Sequence, residues 1–223
     1  ELLIKVAKIS PELRVRFSTS HPKDMHDDVL YAMAEYHNIC SYIHLPVQSG
    51  STHLLELMNR GYSREWYFER MAKIKEIVPN CGLSTDIITG FCTETEEDHQ
   101  DTLSLMQEVG FDFAYMFKYS ERPGTAAAKK MEDDIPEEIK QRRLAEVIVV
   151  QSKNSHESNK KDLGKTFQVL VEGTSKKSGD MLQGRNPQNK VIVFPKENYK
   201  KGDYVNVFVN DCTSATLLGT AVK

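Results

Sequence analysis

Apolar and polar residues follow two different periods along this chain, and the change falls near residue 160. Upstream, short β-branched runs alternate with amphipathic stretches at helical spacing. Val15–Ser18, Ser41–Pro46, the run ending at Thr89 and Ala114–Tyr119 read as four strands. Glu1–Ser10 reads as a helix already under way, which suggests a piece of a longer protein. Asp24–His37 reads as a helix with Val29, Leu30 and Met33 on one side, and a second carries Leu54, Leu55 and Met58 behind the Gln48-Ser49-Gly50-Ser51 turn. Ser63 caps a third, with Tyr67, Met71, Ile74 and Val78 in register, and Thr95 opens a fourth with Asp98 three residues on, closing at Gly110. Strands separated by helices at intervals of about 30 residues predict βαβ units and a parallel sheet.

Arg122-Pro123-Gly124-Thr125 reads as a turn, Lys129–Asp134 as a charged linker, and Pro136 as the first residue of a helix running to about Asn159. Beyond Gly164, Thr166–Val171, Met181–Arg185, Val191–Phe194, Tyr204–Asn210 and Leu217–Val222 are short β runs with Gly, Pro, Asn and Asp between them. Five such runs predict a small closed antiparallel barrel of the OB type. The expected fold class is α/β: a partial (β/α) barrel over 1–160, followed by an OB-like β-barrel over 161–223.

The chain carries net charge −3. Residues 160–223 hold eleven basic against six acidic side chains, so an acidic body of −8 precedes a tail of +5. A basic tail predicts a polyanionic partner. Cys40, Cys81, Cys92 and Cys212 lie too far apart for a Cys-x-x-Cys or zinc-type pair and read as buried thiols in a reducing compartment. No apolar run approaches the roughly 20 residues that span a bilayer, so no membrane partner is expected.

Candidate chemistry gathers at predicted strand ends. In Ser84–Phe91, Asp86 is the only charge, so it either meets a ligand or is buried with a partner. Gln48 follows the second strand and Arg60 ends the helix behind it. Asp accepts from vicinal hydroxyls, Gln donates and accepts, and Arg grips a carboxylate in a fork, which suits a ribose or amino-acid ligand. An ordinary Arg60–Asp86 ion pair is the alternative. The hydroxyls of Thr19 and Ser20, before His21-Pro22, could bind a ligand or cap the next helix. Glu94, Glu96, Glu97 and Asp98 read as carboxylates favouring a helix start. In the tail, Lys176, Lys177, Arg185, Lys190, Lys200 and Lys201 interleave with Phe167, Phe194, Tyr199, Tyr204 and Phe208, a pattern suited to stacking and phosphate contact with RNA.

Together, Arg14–Pro22, His44–Ser51, Met58–Tyr62, Ser84–Thr95 and Tyr119–Thr125 resemble, in order, the methylthiotransferases of the radical S-adenosylmethionine class, in particular the tRNA-acting MiaB type. The tail, through Gly184-Arg185-Asn186-Pro187-Gln188-Asn189-Lys190-Val191, is similar to the RNA-binding TRAM barrel of that family. The resemblance implies methylthiolation at C2 of an N6-isopentenyladenosine beside the anticodon. It implies S-adenosylmethionine and two [4Fe–4S] clusters as cofactors, an electron donor such as flavodoxin or ferredoxin, a tRNA anticodon stem-loop as partner, and a cytoplasmic setting. Gln48, Arg60 and Asp86 would surround the ribose and carboxylate of S-adenosylmethionine, Thr19 and Ser20 its methionine end, and Ile87 its adenine. Lys118, Tyr119 and Arg122 would lie toward the substrate mouth, and Lys176, Lys177, Arg185 and Lys190 on the RNA.

Two departures stand out. Gly90-Phe91-Cys92-Thr93-Glu94-Thr95 replaces the usual Gly-Phe-Pro-Gly-Glu-Thr. The cluster-binding Cys-x-x-x-Cys-x-x-Cys loop, the amino-terminal part of the family and the first two barrel strands are absent, so the piece is expected to be inactive alone. The alternatives are a relative acting on threonylcarbamoyladenosine or a ribosomal protein, or an RNA-binding module only.

Overall fold

The computed structural model describes residues 1–19 and 21–222. Its first part is a parallel three-stranded sheet ordered β1 (Tyr42–His44), β2 (Gly82–Thr89), β3 (Phe113–Lys118). Helices α2 (Asp27–Glu35), α3 (Thr52–Leu57), α4 (Arg64–Ile77) and α5 (Glu96–Val109) follow the connections, and α1 (Leu2–Ala7) precedes them. The helix predicted over Asp24–His37 is shorter, because a 3-10 turn at Pro22–Asp24 takes its start. Ile43, Leu45, Ile87, Tyr67, Ile74 and Leu105, each at most 1% exposed, form the core between sheet and helices.

The strand expected at Val15–Ser18 is reduced to one parallel bridge between Val15 and Ile39, which makes three strands of the four expected. The segment's backbone bonds there run from Val15 N to Asn38 O and from Cys40 N to Val15 O, while the Arg14 and Arg16 guanidinium groups beside it reach carbonyls of the carboxyl-terminal barrel. Pro46 has no N–H and breaks the β1–β2 ladder. Thr85 stitches the gap, its hydroxyl accepting from the Val47 amide and donating to the Leu45 carbonyl, both at 3.0 Å. Gln48, at φ 75°, then resumes pairing: its amide donates to Asp86 O and its carbonyl accepts from Ile88 N, each at 2.9 Å. At Gly50 any Cβ would meet the α5 backbone at Asp101 and Thr102, so only glycine lets the turn seat there.

A short helix, α6 (Ala126–Lys130), capped by Thr125, takes the first two residues of the stretch read as a charged linker. Pro136 stands one place outside α7 (Glu137–Lys160), as its N-cap. The tail closes into a barrel of β4 (Thr166–Thr174), β5 (Met181–Arg185), β6 (Val191–Pro195), β7 (Tyr204–Cys212) and β8 (Leu217–Ala221), ordered β4-β5-β6-β8-β7. It is not wholly antiparallel: β6 and β8 run parallel. Directions cannot alternate all the way around a ring of five, so closure forces at least one parallel pair. Val169, Val207, Val209, Ile192, Phe194 and Leu217, none exposed, fill it.

One end of this barrel docks on the rest of the chain. Gln188 lies against Gly82 so closely that a Cβ there would strike its carbonyl. Arg14 donates to Arg185 O at 2.5 Å and Gln168 O at 3.0 Å and lies over the Tyr204 ring at 5.0 Å. Arg16 donates to Asn186 O at 2.8 Å, and Asn159 of α7 to Thr213 O at 2.9 Å.

Candidate functional site

Strand alternation places Tyr42 and His44 of β1, Ser84, Asp86 and Ile88 of β2, and Phe113, Tyr115 and Phe117 of β3 on one sheet face. On that face the polar groups form a chain. Tyr42 Oη and Ser84 Oγ are 2.6 Å apart, His44 Nδ1 lies 2.8 Å from the same Ser84 Oγ, and His44 Nε2 is 3.5 Å from Asp86 Oδ1. The Tyr115 ring meets His44 edge-on, centroids 5.8 Å apart. Thr19 donates its hydroxyl to the His44 carbonyl, which brings it to the same strand, while Ser20 lies outside the described residues. Ile87 points the other way: its side chain is wholly buried in the core, and Ile88 shares the Asp86 face.

Arg60 donates to Pro46 O at 2.9 Å and to the Tyr62 hydroxyl at 3.1 Å. It is not an ion-pair partner of Asp86 among the described residues, where the Asp86 carboxylate lies instead beside the His44 ring. Tyr62 donates to Val47 O at 3.1 Å, and its burial pushes its hydroxyl pKa up. Burial, then the Arg60 charge, holds His21 below the ordinary histidine range, and its ring meets Tyr62 edge-on at 5.5 Å. The Gln48 backbone pairs with Asp86 and Ile88, and the Arg60 guanidinium bonds the Pro46 carbonyl, so all three residues are tied to the carboxyl edge of β1 and β2. That is where α/β sheets hold ligands.

The loop after β2 is fixed from behind. Glu94, 2% exposed, accepts from the Gly90 amide at 2.5 Å and from Arg143 of α7 at 2.7 Å. Burial lifts the Glu94 carboxyl above its usual range despite those two donors. The expected capping box forms, Thr95 and Asp98 exchanging bonds, and Ser51 also donates to Asp98. Burial raises the Asp98 carboxyl, but these donors outweigh it and leave the pKa lowered. Removing either member of a buried pair such as Glu94–Arg143 typically costs about 3–5 kcal/mol. The acidic cluster is thus partly a clamp between α5 and α7.

At the expected substrate mouth, Lys118 pairs with Glu137, and Arg122 is exposed. Tyr119 meets Phe91 edge-on at 4.9 Å with Lys140 over its ring at 5.4 Å, and desolvation, then Cys92, pushes its pKa up to about 12. On the barrel, Lys190 donates to Ser158 Oγ and Asp162 Oδ2, both at 2.7 Å, and Arg185 donates to Asn189 O at 2.8 Å with Glu172 at 3.4 Å. Both stand at the docked end, and Lys190 is spent on the seam. Lys176, Lys177, Lys196, Lys200 and Lys201 stand at the other end, where Lys196 N joins the two loops by donating to Asp180 O at 2.8 Å. None of these five makes an ion pair among the described residues.

Sequence reading undervalued His44, Ser84 and Tyr115, though the spacing Tyr42-x-His44 and Ser84-x-Asp86 already set them on one face. Arg143 gave no local signal, because its partner is distant in sequence.

Comparison with known proteins now bears on this geometry. Residues 1–106 match the radical SAM superfamily and residues 160–222 the TRAM domain. The chain joins a radical SAM segment to a TRAM domain. It is 60% identical over 220 residues to a tRNA-2-methylthio-N(6)-dimethylallyladenosine synthase of Amoebophilus asiaticus, covering 98% of this chain and 45% of that protein. A protein of the same name from Phocaeicola vulgatus is 58% identical over 221 residues, covering 99% and 48%. The chain therefore spans about half the length of the curated relatives it matches. Coproporphyrinogen III oxidase from Escherichia coli, a radical SAM enzyme, matches in fold with a TM-score of 0.57 at 17% identity, over 83% of this chain and 50% of that one.

The radical SAM class implies S-adenosylmethionine and iron–sulfur clusters. Among the described residues no group of three or more His, Cys, Asp or Glu could hold a metal ion. Cys40 and Cys92 are buried, and the cysteines are dispersed over both parts of the chain, so these residues do not fit a cluster. The donor set of the carboxyl edge suits S-adenosylmethionine in kind: Asp86, Arg60 and Gln48, all partly exposed, offer a carboxylate, a guanidinium and an amide. No helix is long and apolar enough to cross a membrane.

Proposed function

We propose that this chain is the cofactor- and RNA-facing part of a cytoplasmic tRNA methylthiotransferase. It would act on C2 of an N6-isopentenyladenosine beside the anticodon, with electrons from a donor such as flavodoxin or ferredoxin. The observation that carries this reading is 60% identity over 220 residues to a synthase of that name, spread over both parts of the chain.

When bound, S-adenosylmethionine supplies the radical and the methyl group. The chain's own residues bind and orient it. Asp86 takes the ribose hydroxyls, its carboxylate steadied by His44, which Ser84 and Tyr42 hold in turn. Arg60, anchored on Pro46 O, offers its guanidinium to the carboxylate of the cofactor, and Gln48 its amide. Thr19 and Ser20 lie toward the methionine end. Ile88, which shares the Asp86 face, takes the contact assigned to Ile87. Lys118, Tyr119 and Arg122 face the substrate. Lys176 and Lys177, with Lys196, Lys200 and Lys201, meet the phosphates of the anticodon stem-loop at the free end of the TRAM barrel.

Calorimetry with S-adenosylhomocysteine on the protein that contains this chain tests the pocket. Asp86→Asn is expected to weaken binding about tenfold, the order of one charged hydrogen bond, and to leave stem-loop affinity unchanged. Unchanged cofactor affinity, or a collapse of RNA binding, would overturn the placement of Asp86. The absence of the methylthio group from tRNA nucleosides of a strain lacking the gene tests the activity.

A further inference from the structure

The segment Met58-Asn59-Arg60-Gly61-Tyr62 closes α3 and fixes one side chain from two directions. Its backbone forms a Schellman motif: Asn59 N donates to Glu56 O and Arg60 N to Leu55 O, each at 2.9 Å. Asn59, at φ 55°, takes the left-handed position such a motif needs, and Gly61, at φ 69°, turns the chain again. The Arg60 backbone is therefore set by the end of its own helix.

Its side chain is set by Tyr62. A guanidinium carries five N–H donors in a planar fork. Nε donates to the Tyr62 hydroxyl at 3.1 Å and Nη2 to Pro46 O at 2.9 Å, so one edge of the fork is taken. The Nη1 pair and the second Nη2 hydrogen make no bond among the described residues. They form the opposite edge, which can take a carboxylate through two parallel bonds. The phenol is placed to accept. It is 7% exposed, and its one proton goes to Val47 O at 3.1 Å, with Pro46 O at 3.3 Å, which leaves its lone pairs to Nε. Its burial keeps it protonated. The ring is held in turn by Trp66, centroids 5.3 Å apart, by Tyr67 at 6.3 Å and by the edge of His21 at 5.5 Å.

We propose that Tyr62 is a positioning residue: its hydroxyl locks the Arg60 guanidinium so that the unused edge of the fork meets the carboxylate of the bound cofactor. Tyr62 itself makes no contact with the cofactor. The inference deepens the proposed function and rests on its placement of Arg60.

Calorimetry on the full-length, cluster-loaded protein that contains this chain tests it with two probes. S-adenosylhomocysteine carries the amino-acid carboxylate, and 5′-methylthioadenosine keeps the nucleoside and thioether without it. Tyr62→Phe keeps the ring contacts and removes only the hydroxyl. It is expected to weaken S-adenosylhomocysteine about fivefold, the order of one hydrogen bond, and to leave 5′-methylthioadenosine within about twofold of the parent. Arg60→Ala should weaken S-adenosylhomocysteine about thirtyfold, again with the second probe unmoved. In the Arg60→Ala background Tyr62→Phe should have no further effect, because the hydroxyl then has no guanidinium to hold. A selective loss in Arg60→Ala with a silent Tyr62→Phe would overturn the inference and leave the placement of Arg60 standing. Additive losses in the double variant, or equal loss of both probes in Tyr62→Phe, would also overturn it, since the hydroxyl would then support the pocket as a whole. An Arg60→Ala variant that binds both probes like the parent would remove Arg60 from the cofactor, and the inference with it.

Discussion

The two ends of the TRAM barrel both carry basic side chains, and they use them in opposite ways. At the docked end Lys190 is only 12% exposed and sits among Asp112, Asp162 and Ser158. At the free end five lysines project from the β4–β5 and β6–β7 loops without an ion pair among the described residues. The first arrangement is a structural weld, because charges taken out of water must find partners. The second keeps its charges available to an outside polyanion. Net charge alone, +5 over residues 160–223, says nothing about this division of labour.

The largest effect expected from this contrast is at the weld. Lys190→Met takes the shared cation from Asp162, which keeps Lys165, and from Asp112, which keeps the Ser158 hydroxyl and the Leu83 amide. It should cost about 2 kcal/mol in a urea titration, the order of a lost hydrogen bond to a charged group, while the folded variant keeps its RNA affinity. A variant as stable as the parent would mean that the seam is wet and the ion pairs idle. Next comes the free end. Lys176→Glu with Lys177→Glu should leave stability within about 0.5 kcal/mol, as for surface positions. It should weaken stem-loop binding roughly tenfold or more and lower the salt slope by about 2, near 0.9 for each lost phosphate contact. An unchanged salt slope would remove this loop from the interface.

How far the fold was legible follows the range of the forces involved. The Thr95–Asp98 capping box and the Gly110 stop were readable because donor and acceptor lie within one turn. The barrel strands were readable because alternation repeats in each. The strand at Val15 was overestimated, since its local apolar pattern does not show that pairing is limited to the one bridge with Ile39, nor that Arg14 and Arg16 reach 170 or so residues ahead to Arg185 and Asn186. The parallel β6–β8 pair follows from counting strands in a closed ring, not from any residue. In the candidate site, Gln48 and Asp86 were visible as polar residues at the ends of apolar runs, Thr19 as a hydroxyl at an expected strand end, and the family resemblance gave each its place around the cofactor. The Arg143–Glu94 clamp and the weld at Lys190 were not visible, because both partners look like ordinary surface charges until the chain folds.

The smallest expected effect locates acid sensitivity where the amino ends of α3 and α5 meet and not in either barrel end. Asp98 is 6% exposed and accepts from Ser51 and Thr95, and its folded pKa lies below that of the unfolded chain, near 3.9. As pH falls, the unfolded chain takes up this proton first. The stability Asp98 contributes is therefore complete above about pH 5 and is lost as pH falls through its folded value. Ser51→Ala removes one donor and also uncaps α3, which should cost about 1 kcal/mol at neutral pH. It brings the two pKa values of Asp98 closer together, so urea midpoints of the variant should fall less steeply than those of the parent below pH 4. Stem-loop affinity at neutral pH should not move, because Ser51 lies far from the lysine loops in the fold. A parallel acid limb in the two proteins would place the acid-sensitive group elsewhere, and the lifted carboxyl of Glu94 would not replace it: a raised folded pKa makes stability fall as pH rises, the opposite slope.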